Sequence, residues 1–217
     1  MPSEIKLYNM DCMLAMKEMP DKAFDLAIVD PPYFEDYGKE IYPGAAVSTT
    51  GIARHRWESK HWDVPGDEYF KELFRVSKNQ IIWGYNYYFI KNEFSGRIIW
   101  DKRNDDSSFS KCEIAFCSLH KRVEIFRHRW NGMLQEDMGH KEIRQHPTQK
   151  PVALYKWILK RYAQTGAKIL DTHLGSGSSV IAAYDMGFDL TGYEIDKDYF
   201  DAASKRLENH KKQLVMF

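Results

Sequence analysis

Along the chain, short apolar runs alternate with stretches whose apolar positions recur every three to four residues. The runs predict strands at Phe24–Val29, Gln80–Trp83, Arg97–Trp100, Glu113–Ser118, Lys168–Leu170 and Leu190–Tyr193. The helical spacing predicts helices over Cys12–Met19, Asp67–Ser77, Val152–Tyr162, Ser178–Met186 and Lys197–Lys211. Such alternation predicts an α/β fold: an open, mostly parallel twisted sheet with helices on both faces, binding ligands outside the carboxyl ends of its strands. Two segments break the rhythm. Phe34–Trp62 and Arg127–Gln145 carry no convincing element, and long shapeless stretches are usually functional or disordered. No repeat, low-complexity tract or linker divides the chain, so a single domain over residues 1–217 is expected.

Chemistry concentrates at two predicted strand ends. Lys168-Ile169-Leu170-Asp171-Thr172-His173-Leu174-Gly175-Ser176-Gly177-Ser178-Ser179 reads as strand, tight turn and helix. Gly175 and Gly177 let the backbone approach a ligand, and Ser178 is placed to cap the helix. The next strand ends in Glu194, a carboxylate suited to accept from both hydroxyls of a ribose. An adenosine-containing cofactor is expected. Val180 stands where the dinucleotide fingerprint has its third glycine, which counts against nicotinamide and flavin. The other strand end is Asp30-Pro31-Pro32-Tyr33. Two prolines stiffen the chain, the Asp30 carboxylate and Pro31 carbonyl offer two acceptors, and Tyr33 offers a flat ring. A planar ligand with an exocyclic amine suits them.

Composition narrows the class. Lys and Arg number 31, as do Asp and Glu, so nucleic acid would have to be held by local patches. Three cysteines without a CxxC pair exclude a disulfide framework and the usual zinc spacings, and no metal is expected. No apolar run is long enough to span a bilayer and the first residues lack a signal pattern, so a cytoplasmic protein is expected.

Together with His146-Pro147-Thr148-Gln149-Lys150-Pro151, the Asp30–Tyr33 motif and the glycine turn resemble the motifs of S-adenosylmethionine-dependent amino-group DNA methyltransferases. Their order, catalytic motif first and glycine turn last, is similar to the circularly permuted β group. The resemblance implies a Rossmann-like methyltransferase fold with one antiparallel edge hairpin. It also implies transfer of the methyl of S-adenosylmethionine to the N6 amine of an adenine flipped out of double-stranded DNA. By the same resemblance Asp30, Pro31 and Pro32 present the acceptors and Tyr33 stacks on the base. Asp171, His173, Gly175, Ser176 and Gly177 surround the methionine part of the cofactor, Glu194 holds the ribose, Asp11 meets the adenine, and Thr148 and Lys150 reach the carboxylate. No cysteine nucleophile is needed.

The chain departs from the family in two places. Asp171-Thr172-His173 replaces the usual Asp-Pro-Phe, and a protonated histidine beside a sulfonium would weaken binding. Only about 19 residues, Arg127–Gln145, stand where a larger target-recognition region is common. For DNA contact the insert at about 34–62 supplies Arg54, Arg56, Trp57 and Lys60, and a second cluster supplies Lys121, Arg122, Arg127 and Arg129. The nearest alternative is cytosine-N4 methylation, because an acid in the first motif position resembles the adenine-specific members and serine the cytosine-specific ones. More distant are a nicotinamide dehydrogenase, which leaves Asp30–Tyr33 unexplained, and a non-catalytic binding module. A homodimer is left open.

Overall fold

The computed structural model describes residues 3–35, 60–90, 94–105, 110–131 and 134–215. Strand β1 (Ile5–Asn9) leads into helix α1 (Cys12–Glu18), whose first turn is capped by Asp11: its carboxylate accepts from the Met13 N–H at 2.8 Å. Strand β2 (Phe24–Val29) precedes the insert. Helix α2 (Asp67–Val76) then leads into β3 (Ser77–Trp83) and a 3-10 turn over Tyr85–Tyr87. Strands β4 (Gly96–Asp101), β5 (Cys112–Cys117) and β6 (Val123–Arg127) follow, with a two-residue pair β7 (Trp130–Asn131) and β8 (Leu134–Gln135). The chain closes with α3 (Val152–Tyr162), β9 (Lys168–Asp171), α4 (Ser178–Met186), β10 (Asp189–Glu194) and α5 (Lys197–Val215).

Eight strands form one sheet in the order β1-β10-β9-β2-β3-β5-β4-β6. All pairings are parallel except those of β5, which runs against both β3 and β4. The antiparallel hairpin expected at the edge is thus β4/β5, with β6 added outside it, parallel to β4. Alternation along β2 sends Leu26 and Ile28 into the core beneath α3 and α4, and Ala27 and Val29 into the core beneath α1 and α2. Burying both faces is what a parallel sheet requires, and it explains the near-continuous apolar run of β2.

Where the C-terminal β9-α4-β10 unit inserts determines the site. Strand β9 pairs with β2 on one side and β10 on the other, so two segments some 140 residues apart in sequence become neighbours (Leu26 opposite Ile169, Ala27 opposite Leu170). From β2 the chain crosses by α2 to β3; from β9 it crosses by α4, on the other face, to β10. The strand order therefore reverses between β9 and β2, the position at which open α/β sheets open a crevice.

Sequence missed β1, β6 and the β7/β8 pair. β1 is too short and mixed to show a period, and β6 is half exposed along its length. Of Arg127–Gln145, expected to be shapeless, Arg127 completes β6 and the next residues supply β7 and β8. Ser178 does not cap α4. The N-cap is Gly177, in the left-handed region at φ 71°, and the Ser178 hydroxyl lies 3.1 Å from that of Ser176 and accepts from Arg206.

Candidate active site

A cavity of about 700 Å³ opens at the β9/β2 switch point. Asp30–Tyr33 line one side, Thr172–Ser176 and Glu194 another, Asp11 a third, and Thr148–Lys150 close it from the α3 side. Its volume lies in the range of small-molecule sites.

Each oxygen of the Asp30 carboxylate accepts one hydrogen bond and keeps a free lone pair. One oxygen accepts from the Tyr33 hydroxyl and the other from the Lys150 ammonium at 2.5 Å. Lys150, whose side chain is 2% exposed, also lies 2.9 Å from Glu113 and donates to the Tyr33 hydroxyl oxygen at 3.1 Å. Two hydrogen bonds and one ion pair thus hold the ammonium among three oxygens, and the ion also sits over the rings of Trp83 and Tyr33. Glu113 in turn pairs with Lys102 at 2.5 Å. Burial pushes Asp30 upward, reinforced by Glu113 and opposed by Lys150. Burial also acts to raise Glu113, but Lys150 and Lys102 outweigh it and hold it at about 2. The sequence reading sent the Lys150 ammonium to a cofactor carboxylate; instead it bridges the two acids Asp30 and Glu113. The difference arises because Glu113, on β5, sits inside the sheet rather than in any motif.

Tyr88 fixes the proline pair: its hydroxyl lies 2.8 Å from the Pro31 carbonyl and 2.7 Å from that of Pro32, donating to them. One lone pair of the Pro31 carbonyl remains for a ligand amine. The Tyr33 ring stacks on Tyr87, centroids 5.0 Å apart and planes 13° from parallel. Gly84, at φ 72°, makes room for that ring: a Cβ there would lie 2.0 Å from Tyr33 Cε1. None of Gly84, Tyr87, Tyr88, Glu113 or Lys102 was singled out beforehand. The available signal was the aromatic run Tyr85-Asn86-Tyr87-Tyr88 immediately after an apolar strand.

Across the cavity the glycine turn is braced by acids. Gly175, at φ 49°, donates its N–H to Glu194 at 2.8 Å, and the other Glu194 oxygen accepts from the Asp196 N–H at 3.0 Å. Asp171 is 2% exposed; it accepts from the Ser179 hydroxyl at 2.5 Å and the His173 N–H at 3.0 Å. Burial raises it to about 7. His173 meets the Thr172 hydroxyl at 2.9 Å and the edge of Tyr69, and burial lowers it to about 4, so it is neutral at physiological pH. His146, lowered by burial to about 3, is neutral too; its Nδ1 lies 2.9 Å from the Thr148 hydroxyl. Trp62 stacks on the His146 ring with centroids 5.3 Å apart, and Tyr199 meets its edge. Ser176 and Gly177 complete the turn, the Gly177 N–H bonding the Leu174 carbonyl at 2.8 Å. Asp11 lines the cavity, and its carboxylate caps α1.

The basic candidates among the described residues do not form one patch. Arg54, Arg56 and Trp57 lie outside the described residues. Lys60 is moored to Asp196 at 2.6 Å and Asp198 at 2.9 Å. The Trp62 N–H donates to the Glu35 carbonyl at 2.9 Å, so residues 35 and 62 meet beside the cavity. Because β6 runs parallel to β4, and β4 parallel to β3, Arg127 and Arg129 stand at the site end of the sheet. Lys121 and Arg122 stand at the opposite end, roughly 16 Å away at about 3.3 Å per residue. Arg122 pairs with Glu124 and Arg127 with Asp101. Among the described residues no group of acids, histidines and cysteines could hold a metal ion, and no helix is long and apolar enough to cross a membrane.

A family model described as DNA methylase matches residues 54–205. The chain is similar to the Type II methyltransferase M2.DpnII of Streptococcus pneumoniae, 23% identical over 240 residues, covering 93% of this chain and 89% of that one. Its fold is shared with the crystal structure of M1.HpyAVI in complex with SAM (TM-score 0.57, 19% identity, covering 93% of this chain and 99% of that one). It is shared equally with the cytosine-N4-specific PvuII DNA methyltransferase (TM-score 0.59, 11% identity, covering 94% and 86%). The family match spans more than two-thirds of the chain and most of the cavity walls: the chain belongs to the N6/N4 DNA methylase family and is an amino-group DNA methyltransferase.

Proposed function

We propose that the protein methylates the exocyclic N6 amine of an adenine flipped out of double-stranded DNA. The observation that carries this reading is the single cavity lined by both Asp30–Tyr33 and the glycine turn, on adjacent parallel strands. An adenine amine is a poor nucleophile because its lone pair is delocalised into the ring. The Asp30 carboxylate and the Pro31 carbonyl are suited to accept its two hydrogens, which turns the nitrogen toward tetrahedral geometry and aims the lone pair at the donor. Asp30 and Pro31 are stiffened for this task by Lys150, Tyr33 and Tyr88. A base stacking on Tyr33 must share that ring with Tyr87 or displace it. Unstacking the base from the duplex costs a few kcal/mol, offset by these contacts.

When bound, S-adenosylmethionine supplies an electrophilic methyl group on a sulfonium. The residues present fit it. Each Glu194 oxygen accepts one backbone N–H and keeps lone pairs for a ribose diol. A cation brought near Asp171 would favour the ionised form that burial opposes, and neutral His173 and His146 oppose no positive charge. Asp11 would face the adenine, and the backbone of 173–177 with Thr148 the methionine part. Arg127 and Arg129, at the site end of the sheet, are placed to meet phosphates; Arg54, Arg56 and Trp57 are assigned to DNA contact on sequence alone.

Similarity to Type II methyltransferases supports action at a specific site, and Asp30 in the first motif position supports adenine. Incubating the protein with S-adenosylmethionine and unmodified DNA, followed by nucleoside mass spectrometry, tests the reading. N6-methyladenine is expected; N4-methylcytosine in its place would transfer the assignment to cytosine.

A further inference from the structure

We infer that Glu113, outside every recognised motif, is a positioning residue for methyl transfer that acts through Lys150 to keep Asp30 a strong acceptor. This rests on the amine-methylation reading above.

Lys150 alone against Asp30 would be a neutral ion pair, and a carboxylate so matched is a weakened acceptor for a third group. Glu113 changes that balance. It shares the same ammonium at 2.9 Å, so the shell of Asp30, Lys150 and Glu113 carries one positive and two negative charges. Lys102, bound to the other Glu113 oxygen at 2.5 Å, brings the buried group to neutrality from the far side. Asp30 and Lys150 line the cavity while Glu113 and Lys102 do not, so the second negative charge backs the ammonium and leaves Asp30 less neutralised. Glu113 stays ionised throughout, since its two lysines hold it at about 2 against the effect of burial.

The charge flow of the reaction calls for this polarity. In the transfer the amine lone pair forms the N–CH3 bond and the S–CH3 pair stays on sulfur. Positive charge thus arrives on the nitrogen held by Asp30, until one N–H proton leaves to water. A fixed negative charge two contacts away stabilises that arrival without having to reorganise. Geometry adds a second effect. Lys150 and Tyr33 each donate to a different Asp30 oxygen, and the ion pair to Glu113 holds the ammonium in place, so the carboxylate keeps one orientation.

Three variants test the inference: Glu113→Gln, which removes the charge and keeps the shape; Glu113→Asp, which keeps the charge; and Glu113→Gln/Lys102→Met, which restores neutrality. Methyl transfer to DNA is measured with S-adenosylmethionine affinity by calorimetry and target extrusion by 2-aminopurine fluorescence. Glu113→Gln is expected to lower kcat about 10- to 100-fold, with cofactor affinity, KM for DNA and 2-aminopurine signal within about twofold of wild type. Glu113→Asp is expected within about fivefold of wild type, and the double variant at least about threefold above Glu113→Gln. A wild-type kcat in Glu113→Gln, a Glu113→Asp as poor as Glu113→Gln, or no recovery in the double variant overturns the inference. If Glu113→Gln does not fold, Glu113→Asp and the double variant decide it: a Glu113→Asp kcat within about fivefold of wild type and above that of the double variant supports the inference, and any other order overturns it. A wild-type protein that transfers no methyl group overturns the amine-methylation reading instead.

Discussion

Replacing Lys150 by Met isolates the charge on which the catalytic motif is built. Met fills the volume of the lysine stem, so little cavity forms and the main loss is the ammonium. Glu113 keeps Lys102 as a partner, whereas Asp30 keeps only the Tyr33 hydroxyl. Breaking one side of a buried ion pair costs about 3–5 kcal/mol, because the remaining charge is stranded, and Lys150 at 2% side-chain exposure lies in that regime. With a urea m-value of roughly 2 kcal/mol per molar, the unfolding midpoint at pH 8 is expected to fall by about 2 M. The pH dependence gives the sign. Burial already pushes Asp30 upward in the wild type, and without the ammonium only the Tyr33 hydroxyl opposes it. The folded variant therefore takes up a proton at Asp30 as pH falls, at pH values where the unfolded aspartate is still ionised. The folded state binds more protons than the unfolded one, so the loss should shrink between pH 8 and pH 5. Urea titrations of both proteins at the two pH values read this directly. A midpoint shift below about 0.3 M at pH 8, or an equal shift at both, would refute the buried pair.

Other predictions follow from the same geometry. Asp171 rises from an ordinary 3.8 to about 7, at most about 4 kcal/mol of native-state cost once it is ionised. That cost sets in as pH rises from 4 to 7, so the Tm of Asp171→Asn minus that of wild type should climb across this window in the ligand-free protein; a flat difference contradicts the burial. Gly84→Ala places a methyl in a left-handed backbone, costing about 1–2 kcal/mol, and drives it into the Tyr33 ring. Differential scanning calorimetry should show a Tm lower by at least about 3 °C together with impaired methyl transfer, and wild-type values of both would show that the ring is not seated there. Tyr33→Phe keeps the stacking ring but loses the bonds to Asp30 and Lys150, worth about 1.5–3 kcal/mol where charged partners are involved. Its kcat should fall about tenfold while 2-aminopurine extrusion persists, with Tyr33→Ala losing both; equal loss of extrusion in the two variants would contradict this.

How much of the site was legible depended on where its residues sit in the chain. Asp30–Tyr33 and Asp171–Gly177 were legible because proline and glycine at strand ends mark turns, and strand ends are where such sheets bind. All six predicted strands and five predicted helices form, since their periods extend over buried faces. The charge relay was not legible. Glu113 is one polar position in Cys112-Glu113-Ile114-Ala115-Phe116-Cys117, and nothing local distinguishes it from a solvent-facing residue of an alternating strand. Only the sheet order, which puts β5 next to β3 and so close to Asp30, reveals its partner. Lys121, Arg122, Arg127 and Arg129 looked like one cluster because they are close in sequence, but an extended strand separates them to opposite ends of the sheet. Tyr33 was expected to matter for its ring; its hydroxyl proves to be part of the Asp30–Lys150 circuit.

Labelled methyl transfer by wild type and Asp30→Ala, with cofactor binding measured on the same preparations, tests the assignment of the cavity most directly. Wild type should move tritium from S-adenosylmethionine to DNA. Asp30→Ala should move none above background while binding S-adenosylmethionine with affinity within a few-fold of wild type, because Glu194, Asp171 and the glycine turn are untouched. Substantial residual transfer by Asp30→Ala would mean that the target amine is held elsewhere.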